Sequence, residues 1–171
     1  MYNIYLVGFM GTGKTHIGKE LARKKQWNFV DLDELIELRE RRCISDIFAQ
    51  DGESYFRRLE TRALKEVAGQ DTFVVACGGG VVIKPENIRL MKETGTIVCL
   101  TASAAVILKR VRGYANRPLL HVPDPKKQVE LLLKLRAPYY AQADHTIDTS
   151  VLTPAAVVAK ITRIAKTRKK R

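Results

Sequence analysis

The residues Gly8-Phe9-Met10-Gly11-Thr12-Gly13-Lys14-Thr15 match the spacing G-x-x-x-x-G-K-[ST] in full. Each residue type in that pattern suits the binding of phosphate. Glycines let backbone N–H groups close on phosphate oxygens, and a helix opening directly after the loop adds its partial positive charge. Lys14 can then reach the β and γ phosphates, and the Thr15 hydroxyl is placed for Mg²⁺. The alternative, a chance glycine-rich turn, fits poorly with an apolar strand before the loop and an amphipathic helix after it. The loop implies a nucleoside triphosphate and leaves the acceptor open.

Acids and arginines narrow the acceptor. The third apolar run ends Val74-Val75-Ala76-Cys77-Gly78, without the aspartate that a motor ATPase or helicase usually carries there. Asp31, with Asp33 two residues on, is left to support a metal and to handle the acceptor, unless the pair is an ordinary helix N-cap. Asp148, shortly before the last helix, reads as structural. Four arginines fall near loops. Arg57 can be held by Glu60 at i,i+3, Arg110 ends one helix, Arg117 lies in a loop, and Arg136 ends another helix just before Pro138. Guanidinium forks bind carboxylates and phosphates bidentately; a lone arginine is more often a solvated surface charge. Gly78-Gly79-Gly80 exceeds what an ordinary turn needs, since each glycine costs entropy on folding, and points to close approach of a ligand.

These residues must be positioned by alternating short apolar runs and longer amphipathic segments, the pattern of a doubly wound parallel sheet. Strands are expected at 4–7, 28–30, 72–77, 96–100 and 146–148. Helices are expected at 14–25, 34–41, 53–68, from a Ser103 cap to 111, at 126–137, and from Pro154 at N1. Residues 112–125, rich in proline and glycine, read as a mobile lid. The expected fold class is therefore α/β: a P-loop kinase fold with a five-stranded, mostly parallel sheet, helices on both faces and a lid. Residues 1–159 form the one domain and 160–171 a basic tail.

Composition sets the outer bounds. No apolar run approaches the roughly 18 residues of a membrane helix, and Met1 to Val7 does not read as a signal peptide. Three widely spaced cysteines, Cys43, Cys77 and Cys99, suit a reduced, cytoplasmic protein. The chain carries 30 Lys+Arg against 18 Asp+Glu, a formal net charge of +12, which raises polyanions as partners. Localising the charge changes that reading. Seven basic residues and no acid lie within 160–171, and no aromatic residues interleave with them as a nucleic-acid surface would require.

Taken in order, the motifs resemble the shikimate kinase family from Ile4 to about Val158. They are the phosphate loop with Met10-Gly11, then Asp31-Leu32-Asp33, then Ile44-Ser45-Asp46-Ile47-Phe48, Asp51-Gly52-Glu53 and Phe56-Arg57-Arg58-Leu59-Glu60. The triple glycine, Arg117-Pro118-Leu119-Leu120 and Arg136-Ala137-Pro138-Tyr139-Tyr140 complete the set. The resemblance implies transfer of the ATP γ-phosphoryl group to the 3-hydroxyl of shikimate. It implies ATP contacts from Gly11, Thr12, Gly13, Lys14, Thr15, His16, Arg110 and Arg117, with Arg110 near adenine. Thr15 and Asp31 would hold Mg²⁺, Asp31 through water. Asp33 would meet the accepting hydroxyl, Arg57 and Arg136 would grip the shikimate carboxylate, and Gly78, Gly79 and Gly80 would line that subsite. Lys14, Asp33 and Arg117 would be catalytic.

The sequence departs from the family pattern at His16, where Ser or Thr is usual. Ser150-Val151-Leu152 also lacks a basic residue often found near the adenine pocket. A gluconate or nucleoside monophosphate kinase is the nearest alternative, since a gluconate enzyme also needs carboxylate clamps. A nucleic-acid-binding regulator with a vestigial loop is the more distant one. The expected partners are ATP and shikimate, with no nucleic acid or membrane, and the protein is expected to be a monomer.

Overall fold

A computed structural model describes residues 2–111 and 123–168, with side chains placed through 165. Five strands, β1 (Asn3–Val7), β2 (Asn28–Asp31), β3 (Phe73–Ala76), β4 (Gly95–Thr101) and β5 (His145–Asp148), form one sheet in the order β2-β3-β1-β4-β5. All four strand pairs are parallel, so the expected mostly parallel sheet is parallel throughout its described strands. The helices are α1 (Lys14–Lys25), α2 (Leu32–Glu40), α3 (Ile44–Ala68), α4 (Pro85–Thr94), α5 (Ala104–Val111), α6 (Pro125–Tyr140) and α7 (Pro154–Arg168), with a 3₁₀ turn at Val81–Ile83.

The strands are apolar on both faces because both faces are covered, as parallel sheets require. Ile4 and Leu6 of β1 point into one apolar cluster with Ile17, Leu21, Val157 and Ile161 of α1 and α7. Tyr5 and Val7 point the other way, into the larger cluster with Ile36, Leu64, Met91 and Ile107 of α2, α3, α4 and α5. α6 adds Val129 and Tyr140 to that second side. The period-2 alternation of β1 thus assigns helices to layers.

Several elements differ from the sequence-based expectation. α3 begins at Ile44 rather than Glu53, because Gly52, at φ 78° and ψ 172°, kinks the helix without ending it. That left-handed φ favours glycine. α4 was not expected at all, although Pro85 stands at its first position, where a missing N–H costs nothing. α6 continues through Pro138 to Tyr140 rather than stopping at Ala137. The proline falls in the last turn, where it removes one backbone hydrogen bond, and Ala141 still donates to the Ala137 carbonyl at 2.9 Å. α7 runs to Arg168, past residue 160 where the sequence sets the start of a basic tail, and Ile161 and Ala165 are buried along it. Of the expected lid, residues 112–122, including Arg117, lie outside the described residues.

Register explains why the functional motifs meet. Leu6 of β1 and Asp31 of β2 both pair with Ala76 of β3. The three strands therefore end side by side, and Gly8, Asp31 and Cys77-Gly78 emerge together at their carboxyl ends. Ligands of doubly wound sheets bind at such an edge.

Candidate active site

The phosphate loop leaves β1 at Gly8 and enters α1 at Lys14. Gly11 (φ 75°) and Gly13 (φ 97°) both lie in the left-handed region, where side chains with a Cβ are strained. Gly13 is the N-cap of α1 and makes no side-chain cap bond, so the loop's glycines rather than a capping side chain shape the helix entrance. Thr12 is buried and its hydroxyl donates to the Phe9 carbonyl at 2.7 Å, closing the loop on itself. The Lys14 ammonium donates to the carbonyls of Gly8 (2.8 Å) and Phe9 (3.0 Å), which holds it over the loop.

The two aspartates are divided by one local device. Asp31 caps α2, one carboxylate oxygen accepting from the Asp33 N–H at 3.0 Å. Its other oxygen accepts from the Thr15 hydroxyl at 2.7 Å. The N-cap reading is thus borne out at Asp31, whose second oxygen lies beside the Thr15 hydroxyl. A hydroxyl and a carboxylate oxygen side by side beside a phosphate loop are hard donors suited to Mg²⁺, which takes one or two protein oxygens and completes its shell with phosphates and water. No group of three or more metal-ligating His, Cys, Asp or Glu side chains occurs among the described residues.

Arg57 and Arg136 approach from different helices. The Arg57 guanidinium donates to Glu60 at 2.5 Å and to Glu53 at 2.9 Å, so the i,i+3 pairing read from the sequence is present and an i,i+4 pairing joins it. Burial works against its charge, but Glu60 and Glu53 outweigh burial and hold its pKa above the ordinary value. Arg136 lies 5.5 Å over the Phe9 ring, a cation–π arrangement. Beside it the Tyr140 hydroxyl donates to the Gly79 carbonyl at 2.9 Å. Burial pushes the Tyr140 phenol up to about 12 despite the opposing Arg136 charge, so it remains a donor.

The triple glycine has a steric reason that the sequence does not display. A Cβ on Gly78 would sit 2.6 Å from Glu60 Oε1 and 2.7 Å from Asp33 Oδ1. One on Gly79 would sit 3.2 Å from an Arg136 guanidinium nitrogen, and one on Gly80 would overlap the Arg57 guanidinium. None of the three has a positive φ. The glycines make room for the protein's own charged side chains, which line up along the strand end as acid, Arg136 and Arg57.

These groups open onto one cleft of about 530 Å³, lined by Lys14, Thr15, Asp31, Asp33, Arg57, Gly78, Gly79, Gly80, Arg110 and Arg136 among others. His16 stands at its margin, largely exposed, 3.5 Å from Glu20. Arg110 donates to the Gly11 carbonyl at 3.2 Å and to the Thr149 carbonyl at 2.7 Å, tying the phosphate loop to the segment after β5. Asp148 accepts from the Ser150 N–H at 2.7 Å in a local turn, the structural role read for it. Sequence reasoning did not single out Glu60 as a site residue, nor Cys77 or Tyr140. Glu60 is 1% exposed. Burial pushes its carboxyl up to about 7, with the Arg57 charge opposing and Asp33 adding to the rise. The signal available in the sequence was its spacing from Arg57, which shows a partner but not burial.

The fold and cleft define an ATP-dependent kinase of small molecules, built on a phosphate loop with an acid pair and an arginine pair lining the same cleft. Residues 10–166 match the sequence model of the shikimate kinase family. A shikimate kinase of Thermodesulfovibrio yellowstonii is 47% identical over 161 residues, 94% of this chain and 93% of that protein. Shikimate kinase from Acinetobacter baumannii, solved in complex with shikimate, superposes with a TM-score of 0.92 at 36% identity, covering 100% of this chain and 96% of that one. The chain belongs to the shikimate kinase family. A gluconokinase from Sinorhizobium meliloti, at 16% identity and a TM-score of 0.58 over 98% of this chain and 95% of that one, shares the fold alone.

Proposed function

We propose that this chain transfers the γ-phosphoryl group of ATP to the 3-hydroxyl of shikimate, giving shikimate 3-phosphate and ADP. The observation that supports the proposal is that the phosphate loop, Asp33 and the Arg57–Arg136 pair line one cleft. An acceptor held by its carboxylate at the arginines presents a hydroxyl to Asp33, with the phosphate loop beyond.

Gly11, Thr12 and Gly13 cradle the triphosphate, and Lys14 leaves its loop carbonyls to neutralise the β and γ phosphates. Arg110 borders the nucleotide, and His16 flanks it from the first turn of α1. Thr15, and Asp31 through water, would hold Mg²⁺, which would neutralise phosphate charge. Arg57 and Arg136 take the acceptor carboxylate as a pair of forks, while Gly78, Gly79 and Gly80 let it approach the backbone. Asp33 accepts the hydroxyl proton as the new O–P bond forms and ADP departs. To these the family resemblance adds Arg117, outside the described residues, as a further cation at the phosphates. Positioning and charge neutralisation supply most of the catalysis. The protein acts as a cytoplasmic monomer needing neither nucleic acid nor membrane; no helix among the described residues is long and apolar enough to cross one.

A coupled ADP-release assay over a panel of acceptors tests this. Turnover with shikimate, absent with gluconate and with nucleoside monophosphates, is the expected result. Turnover with gluconate instead would favour the other carboxylate-bearing acceptor, and stimulation by nucleic acid without shikimate turnover would refute the proposal.

A further inference from the structure

β5 is an edge strand, and no described segment pairs with its outer side. The Thr149 N–H donates to the Thr101 carbonyl of β4 at 2.8 Å. In a parallel ladder the backbone of every second residue faces the same neighbour, so Ile147 and His145 also turn toward β4. Thr146 and Asp148 then turn their N–H and C=O groups outward. Side chains alternate as well. Ile147 enters the apolar cluster that Val157 and Ile161 of α7 share, so His145 stands on the α7 face of the strand and Thr146 on the opposite one.

Between this edge and α7 runs a groove of about 610 Å³, bounded by β5 on one side and by Lys160, Arg163 and Ile164 on the other. Leu152 and Ile164 pack on the apolar cluster and form its floor. Lys160 and Arg163, both exposed and about one helical turn apart, form its rim. Neither makes an ion pair with a described residue. Asp148 is the one acid in the lining, and its carboxylate already accepts from the Ser150 N–H at 2.7 Å. The groove shares no lining residue with the cleft of the phosphate loop.

An open strand edge takes an extended chain, whose backbone continues the ladder and whose alternate side chains reach one face. A second copy of this chain is a poor occupant. It carries a net charge of +12, and joining β5 to β5 would bring Lys160 and Arg163 toward their own counterparts. Lys169, Lys170 and Arg171 of the chain itself carry the same sign. A nucleic acid matches the charge but brings no peptide groups to the edge, and no phenyl, phenol or indole ring lines the groove for its bases to stack on.

We propose that the groove between β5 and α7 is a docking site for an extended acidic segment of another protein, which adds as a strand beside β5. Its backbone exchanges hydrogen bonds with Thr146 and Asp148. Its side chains on the α7 face alternate between carboxylates, which meet Lys160 and Arg163, and an aliphatic group, which meets Leu152 and Ile164. The docking is independent of which acceptor the cleft phosphorylates.

The test uses the full chain and a short fluorescent peptide that alternates threonine with glutamate and valine, read by anisotropy at about 50 mM salt. Saturable binding is expected, and it should weaken as salt rises toward about 0.5 M. Lys160→Glu combined with Arg163→Glu should weaken it by about tenfold or more. Thr146→Pro removes an outward N–H that an edge strand can spare and should weaken binding by about fivefold, whereas Thr146→Val should bind as the wild type does. All these variants should keep wild-type turnover, which shows that they fold. In the wild type, amide hydrogen exchange at Thr146 and Asp148 should slow on adding the peptide, a readout independent of any variant. Absence of saturation, equal binding of the peptide with lysine in place of glutamate, or unchanged exchange at both amides would overturn the proposal. So would tighter binding of oligothymidylate, which would assign the rim to nucleic acid, or self-association lost in Thr146→Pro, which would assign the edge to a second copy.

Discussion

Replacing Gly80 by alanine should disable the acceptor subsite while leaving the fold nearly untouched. Gly80 has φ −102° and ψ −5°, a conformation alanine adopts freely, so the backbone has no reason to resist. Where such a change is compatible, it alters stability by less than about 1 kcal/mol. The new Cβ, however, would overlap the Arg57 guanidinium, with one of its nitrogens only 2.6 Å away. Ordinary contact begins at 3.4 Å and the other guanidinium nitrogen is nearer still, so the guanidinium must move by more than about an ångström. It cannot do so without stretching its 2.5 Å bond to Glu60 and its 2.9 Å bond to Glu53. A hydrogen bond to a charged group is worth about 1.5–3 kcal/mol, which corresponds to a loss of about ten- to a hundredfold in kcat/KM. The loss should appear as a higher KM for shikimate with the KM for ATP within about twofold of wild type, because a Cβ at Gly80 meets Arg57 first and not the phosphate loop. Steady-state kinetics with each substrate varied in turn, alongside a thermal melt, checks the prediction. Wild-type kcat/KM for shikimate, or equal losses for both substrates, would refute the steric account of the triple glycine.

Asp33→Asn keeps the shape of the site but removes the proton acceptor, so turnover should fall by at least about a hundredfold while nucleotide affinity, measured by titration, stays within about twofold. Unchanged turnover would remove Asp33 from its role. Tyr140→Phe removes the donor to the Gly79 carbonyl at a cost of about 1 kcal/mol, expected as a rise of about fivefold in the KM for shikimate; an unchanged KM would show that Gly79 holds its place without it. Glu60 also couples stability to pH. Its carboxyl stands at about 7 in the folded chain against 4.5 in the unfolded one, so the folded state keeps its proton to higher pH. Its contribution to stability is full below pH 4.5 and is lost as pH rises through about 7, an upper bound of about 3 kcal/mol. Urea denaturation of wild type and Glu60→Gln should show the difference between them moving by that order between pH 4.5 and about pH 8; a constant difference contradicts the shift.

The phosphate loop was legible because its chemistry is local: Gly11 and Gly13 are needed for backbone conformation, Lys14 and Thr15 for reach, and all lie within one strand–loop–helix unit. The five strands were legible for the same kind of reason, since a sheet covered on both faces makes each one a short apolar run. Position 52 misled because glycine ends many helices, and here α3 absorbs it as a kink after the turns that carry Ile47 and Phe48. The helix α4 was hidden behind Gly78-Gly79-Gly80 and Pro85, residues that read as loop although Pro85 is a helix start. At the site, Arg57, Arg136 and Asp33 could be nominated from residue type. What could not be read was their mutual arrangement. The glycines at 78–80 were expected to admit a ligand, and their first task is to admit Glu60, Asp33, Arg136 and Arg57. Glu60 itself read only as the i,i+3 partner of Arg57, because its burial depends on β3 and α6 arriving from elsewhere in the chain.

The net charge of +12 divides accordingly. Lys14, Arg57, Arg110 and Arg136 line one cleft sized for small anions, and Lys160, Arg163, Lys166 and Arg168 lie along α7.

The central claim is that this cleft joins the γ-phosphoryl group of ATP to the 3-hydroxyl of shikimate. Phosphorus NMR of a mixture of the protein, Mg²⁺, ATP and shikimate tests it most directly. The γ-phosphate resonance should give way to ADP and one phosphate ester whose phosphorus couples to the proton at carbon 3. Release of inorganic phosphate alone, or an ester at another hydroxyl, would contradict it.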